Sequence, residues 1–207
     1  MINQQGQQVH ENMQTGTIPQ QLNHGGHEFF DVSEILSGSI GVINEYTLIR
    51  DHIKDQELLD ILDRQHAFMK QEYNTLVDAF KTGSKPSVSI TSYNMKQNND
   101  FIYGLKPSEP KKPAQSASDL QDQCFSNLML GAVKSCASAK AMAALECTNP
   151  VVRRVIADSV PDCIEMAYEI SLYQNKHHYY QVPQLKEEDM QQILNSYAPV
   201  QGNNITH

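Results

Sequence analysis

Glu146-Cys147-Thr148-Asn149-Pro150-Val151-Val152-Arg153-Arg154 separates two long segments of helical pattern and decides the fold. The Asn149 side chain can accept hydrogen bonds from the free N–H groups that open a helix. Pro150 suits the first helical position, where its missing donor costs nothing. One helix therefore stops here and another starts at once. A turn this short forces the two helices to lie antiparallel and share a core, which is the unit of a helix bundle.

On the carboxyl side of the turn, Val152, Ile156, Cys163, Ala167 and Ile170 recur at helical spacing, which predicts a helix over about 150–177. Pro161 lies inside it and removes one backbone hydrogen bond, so a kink near Ala157 is expected. On the amino side, Ser118 and Gln121 have the spacing of a capping box and predict a helix over about 118–147. Its small residues, Gly131, Ala132, Ser135, Ala139 and Ala143 among them, let neighbouring helices approach closely.

Further upstream, Val32, Leu36, Ile43 and Arg50 mark one stripe of a helix over about 30–53. Asp55 can cap a second helix, over about 55–82, whose stripe runs from Leu58 through Leu62, His66, Met69, Tyr73 and Leu76 to Phe80 before Gly83 ends it. These two form another antiparallel hairpin. Residues 84–117, broken by Pro86, Pro107, Pro110 and Pro113, are too long for a simple loop. They suit a crossover that travels the length of the bundle so that helix three can start at the far end. The fold class is therefore all-α: a ferritin-like four-helix bundle with a long crossover between helices two and three, spanning 29–180. Residues 1–28, rich in Gln and Asn, predict a flexible tail, within which His24-Gly25-Gly26-His27 reads as polar linker. Residues 181–207 predict an extension with one short helix and a fraying end.

Composition narrows the function. A formal charge of −8 and a pI near 5.4 argue against a sequence-independent grip on nucleic acid. No apolar run has the length of a membrane span or the pattern of a secretory signal, so synthesis and folding in the cytoplasm are expected. Cys124, Cys136, Cys147 and Cys163 lack Cys-x-x-Cys spacing and read as small core or near-surface residues; later oxidation is the alternative.

A bundle with a crossover raises the question of a di-iron centre, which takes a Glu from each of two helices and a Glu-x-x-His pair from each of the others. Glu34, Glu45, Asp158, Glu165 and Glu169 fall opposite the apolar stripes, and helix four has no Glu-x-x-His pair. His66 with Asp63 is the only partial match and a weak metal candidate, so no metal, cofactor or catalytic residue is assigned. Glu146 is expected to latch the turn by reaching Arg153 or the N–H groups that open helix four.

The segment from Asp119 to Tyr180 resembles the spore coat protein F family of endospore-forming bacteria. The likeness rests on Lys134, the Glu146-x-x-x-Pro150-x-x-Arg153 turn and the Tyr179-Tyr180 pair, with His178 and Tyr179 standing where many members have Gly and Trp. The resemblance implies a ferritin-like bundle and a non-enzymatic structural or assembly role in the spore coat. Lys134, Glu146, Pro150 and Arg153 carry over as fold determinants. It also implies other coat proteins as partners, self-association as a further option, and synthesis in the mother cell without a signal peptide. The alternative is a ferritin-like metal-binding or redox-protective protein of the spore. Gln-rich ends, exposed lysines and nine tyrosines would suit covalent cross-linking in an assembled layer.

Overall fold

The computed structural model describes residues 18–88, 91–98 and 100–200. Among the described residues five α-helices follow one another: α1 Gly26–Arg50, α2 Gln56–Thr82, α3 Asp122–Glu146, α4 Pro150–Lys176 and α5 Glu187–Asn195. No β-strand occurs among the described residues; Tyr103 and Val182 form a lone bridge. The α1–α2 and α3–α4 hairpins pack side by side, with α1 against α3 and α2 against α4.

Local chemistry sets the helix limits. The Asp55 side chain accepts from the N–H groups of Glu57 and Leu58, while Gly83 ends α2 in the left-handed conformation at φ 62°. Asn149 does for α4 what Asp55 does for α2, accepting from Val151 and Val152, and α4 then continues through Pro161. Helix α3 starts later than the capping-box pattern predicts. Asp119 instead accepts from the Ser116 N–H in a short 3-10 turn, Ala117–Asp119, and α3 opens only at Asp122.

Helix α1 departs furthest from expectation. It begins at Gly26, and a 3-10 turn at Gln20–Leu22 packs against α2, so residues 20–28 join the bundle. The remainder of the expected tail, residues 1–17, lies outside the described residues. The buried face of α1 is Val32, Ile35, Tyr46 and Ile49, while Leu36 and Ile43 are half-buried and Arg50 is exposed. The stripe is rotated because α1 packs on α3 as well as on α2, and two partners bury a wider sector than one.

The core has two parts. One joins Val32, Ile35, Leu76, Ala79, Val152 and Ile156 beneath the α3–α4 turn. The other joins Tyr46, Leu58, Leu62, Met129, Met166, Ile170 and Tyr173 toward the opposite end. At the close of α4, His178 takes a left-handed conformation, φ 58°, and the next two N–H groups both donate to the Gln174 carbonyl. A glycine adopts that conformation without Cβ strain. His178→Gly is accordingly expected to raise the unfolding free energy by about 1 kcal/mol, measured by chemical denaturation.

Candidate functional site

The α3–α4 turn leaves two N–H groups ahead of α4, those of Thr148 and Asn149, pointing away from both helices. The carboxylate of Glu28, in the first turn of α1, meets them. Its Oε2 accepts from Thr148 N at 2.8 Å, Thr148 Oγ1 at 2.7 Å and Asn149 N at 2.9 Å, and its Oε1 pairs with His24 Nδ1 at 2.7 Å. Gly25 closes the arrangement by donating its N–H to Thr148 Oγ1 at 2.8 Å, an approach so close that a Cβ on Gly25 would lie 3.0 Å from that side chain. Asn149 Nδ2 reaches the Gly83 carbonyl at the end of α2. Glu28 is fully buried. Burial alone would raise its carboxyl pKa, but the hydrogen bonds from His24, Asn149 and Thr148 outweigh burial and hold it below the ordinary value.

A second polar set lines the side of α4 that the sequence pattern places outward. Asp162 accepts from Tyr93 N at 2.7 Å, Glu169 from Lys96 N at 3.1 Å, and Asn175 from Ile102 N at 2.6 Å. Asp162 and Glu169, two turns apart, share one face of α4, and with Asn175 at its carboxyl end the three acceptors meet crossover residues in ascending order, so the crossover runs along α4 for about 20 Å. Glu169, expected to face outward, is fully buried. Arg64 Nη1 lies 2.9 Å from its Oε1, while the Tyr93 hydroxyl and Gln65 Nε2 donate to its Oε2. The apolar stripe identified the side facing the other helices, but the crossover covers a further side and makes it interior.

Between the two parts of the core, the buried Lys140 ammonium is paired with the Glu72 carboxylate and lies 3.4 Å from Cys163 Sγ. Burial would lower the lysine pKa; the charge of Glu72 overrides it and raises it. A cavity of about 20 Å³ lies against this pair, with Cys136, Cys163 and Tyr73 in its wall, and Glu72 Oε2 has no hydrogen-bond partner. That volume suits one water molecule. Burial pushes the Cys163 thiol up to about 11 and the Cys147 thiol up to about 12, so neither is activated as a thiolate near neutral pH.

The weak metal candidates do not converge on an ion. Both oxygens of Asp63 are taken by Arg50, at 2.7 and 2.8 Å, and His66 Nε2 is hydrogen-bonded to the Ile43 carbonyl at 3.1 Å and Thr47 Oγ1 at 3.2 Å. In the middle of the bundle, where a di-iron centre needs inward carboxylates free for metal, Glu72 and Glu169 are engaged by Lys140 and Arg64. Of the turn motif, Pro150 opens α4 as its spacing predicts, while Arg153 is exposed and Lys134 is exposed on α3. Glu146 is also exposed and makes no hydrogen bond or ion pair among the described residues; the latching role expected of it falls to Glu28. Spacing around the turn could not reveal Glu28, which lies 120 residues before Thr148. What these groups do chemically is hold segments together: charge, burial and donors are matched across the helix ends and the crossover.

Residues 121–183 match the Coat F domain. The chain is 53% identical over 178 residues to the spore coat protein F-like protein YhcQ of Bacillus subtilis (strain 168), covering 86% of this chain and 82% of that one. A crystal structure from Bacillus halodurans C-125, described as that of a candidate spore coat protein, superposes with a TM-score of 0.58 at 18% identity, over 82% of this chain and 99% of the other. At that identity the superposition speaks for the fold alone.

Glu28→Ala, which strands the buried Asn149 N–H and the half-buried Thr148 N–H, is expected to cost about 2–3 kcal/mol, whereas Glu146→Ala should stay within about 0.5 kcal/mol. Urea denaturation of both variants measures the contrast. Glu169→Ala, which leaves Arg64 without its buried partner, should cost about 3–5 kcal/mol by the same assay. Because the Glu28 pKa is depressed in the fold, its contribution is present above the unfolded carboxyl value of 4.5 and is lost as the pH falls through the folded value. The stability gap between wild type and Glu28→Gln should therefore be widest near neutral pH and shrink below about pH 4.

Proposed function

The chain belongs to the spore coat protein F-like family, and from that premise we propose that it is a non-enzymatic structural component of the bacterial spore coat. The observation that carries this reading is the 53% identity, which runs through both hairpins and the crossover and is not confined to the α3–α4 motif. On this reading the protein is made in the mother-cell cytoplasm and built into the coat through contacts with other coat proteins and with copies of itself. We read the bundle, with its two hairpins and lengthwise crossover, as ferritin-like in topology.

The outer face of α3 supports an assembly role. Leu128, Met142 and Leu145 are exposed there, the last at 85%, among Gly131, Ser135, Ala139 and Ala141. Contrary to the expectation of no span-length apolar run, α3 is long and apolar enough to cross a membrane, with only 22% of that stretch buried inside the bundle, where it packs on α1 and α4. An apolar face of this kind suits burial against another subunit. Exposed Tyr103, Tyr180 and Tyr197 are available for covalent linkage in the assembled layer.

A fluorescently tagged copy expressed through sporulation tests the proposal. The signal should collect around the developing spore and remain with the purified mature spore; diffuse signal in vegetative cells with none on spores would sink it. Full extraction from mature spores without reductant or harsh detergent would count against covalent linkage.

A further inference from the structure

We propose that the end of the bundle opposite the Glu28 latch binds one divalent transition-metal ion through His177, Asp55 and Glu57. The three residues come from two helix ends that no turn connects: Asp55 and Glu57 from the start of α2, His177 from the close of α4. One donor atom from each lies within 4.8 Å of the others. His177 Nε2 stands 3.6 Å from Asp55 Oδ2 and 3.8 Å from Glu57 Oε2, too far for a hydrogen bond to either. An ion about 2.0–2.2 Å from each donor in tetrahedral geometry sets neighbouring donors about 3.3–3.6 Å apart, so the two spacings from His177 already match it to within a few tenths of an ångström, and the two carboxylates turn toward each other to complete the site.

Two buried polar atoms at this end lack partners. His177 Nε2 is one; the other is the hydroxyl of Tyr173, a fully buried side chain. The Tyr173 hydroxyl lies beside the Asp55 carboxylate and in the field of Asp122, and its ring packs against the His177 imidazole at 4.4 Å. Buried groups are rarely left without partners, and an ion drawing the Asp55 and His177 donors inward would satisfy the imidazole directly.

The surrounding contacts hold the ligands in place. Asp55 Oδ1 accepts from Glu57 N and Leu58 N, which leaves Oδ2 for an ion. Asp122 accepts from Lys54 N and Asp55 N, fixing the backbone that carries Asp55. Such outer contacts orient metal ligands. The competitor is Lys176, whose ammonium sits 2.6 Å from Glu57 Oε2 on a side chain that is 62% exposed and free to swing away. One imidazole and two carboxylates, with solvent able to supply a fourth ligand, suit Zn²⁺ or Mn²⁺. This is a single-ion staple across helix ends, separate from the ion-paired middle of the bundle.

Isothermal titration of metal-stripped full-length protein with Zn²⁺, and separately with Mn²⁺, tests the site. One equivalent of at least one of the two ions should bind the wild type and raise its thermal midpoint. His177→Ala and Glu57→Gln should each weaken binding at least about tenfold. Lys176→Ala, which removes the competitor, should tighten it. His66→Ala, His27→Ala and His178→Ala should bind as the wild type does, and Glu57→Gln keeps the test open should His177→Ala fail to fold by circular dichroism. Absence of stoichiometric binding of both ions by the wild type, wild-type affinity in Glu57→Gln, or unchanged or weaker affinity in Lys176→Ala would overturn the proposal.

Discussion

The carboxylate of Glu28 on the N–H groups of Thr148 and Asn149 is the contact on which the arrangement of the helices depends. A turn as short as the one between α3 and α4 has no room to supply acceptors for its own donors, and a buried donor without an acceptor is costly. Asn149 serves the two N–H groups inside α4 and leaves the two ahead of it to another element. Placing α1's first turn there brings the start of α1 to the turn, and the Asn149 amide then draws the end of α2 to the same place. With α2 ending where α3 also ends, the chain must travel back along the whole bundle before α3 can begin.

That return journey explains the polar face of α4. Asp162, Glu169 and Asn175 would be ordinary solvated residues on a bare hairpin, but here they receive the backbone N–H groups of an otherwise irregular segment. A crossover without secondary structure of its own has no ladder to satisfy its donors, so acceptors on the helix beneath it take that role. The price is a buried carboxylate at Glu169, which is tolerable because Arg64, Tyr93 and Gln65 pair with it from three directions. A polar layer at Lys140 and Glu72 divides the core in a similar way, and a matched buried pair there disfavours sliding of α3 along α2 and α4, since any shift would separate the charges.

Both ends of α2 and the start of α4 are readable from the sequence because their chemistry is local. Asp55, Gly83, Asn149 and Pro150 act within four residues of themselves, and each stands in the structure in the role its residue type predicts. Residues whose partners are remote stand where local pattern does not put them. Local pattern puts Glu28 in a polar tail and Glu169 on a solvated face, yet both are fully buried, while Glu146, nearest in sequence to the N–H groups in need, is left in solvent. The error has one source. Helical periodicity reports which side of a helix is apolar, and it is blind to a polar side that another segment covers.

The amino-acid sequence by itself determined an all-helical chain of two hairpins and a long proline-broken connection, and it carried the likeness to the spore coat protein F family. These follow from periodicity, caps and turn residues, which act over one or two helical turns. Only the tertiary structure decided which carboxylates are buried and what each one holds: Glu28 the α3–α4 turn, Glu169 the crossover, Glu72 the core lysine. Burial and partnership of a charge depend on every segment packed around it. Those segments lie 68 to 121 residues away in the chain, beyond the reach of any local pattern.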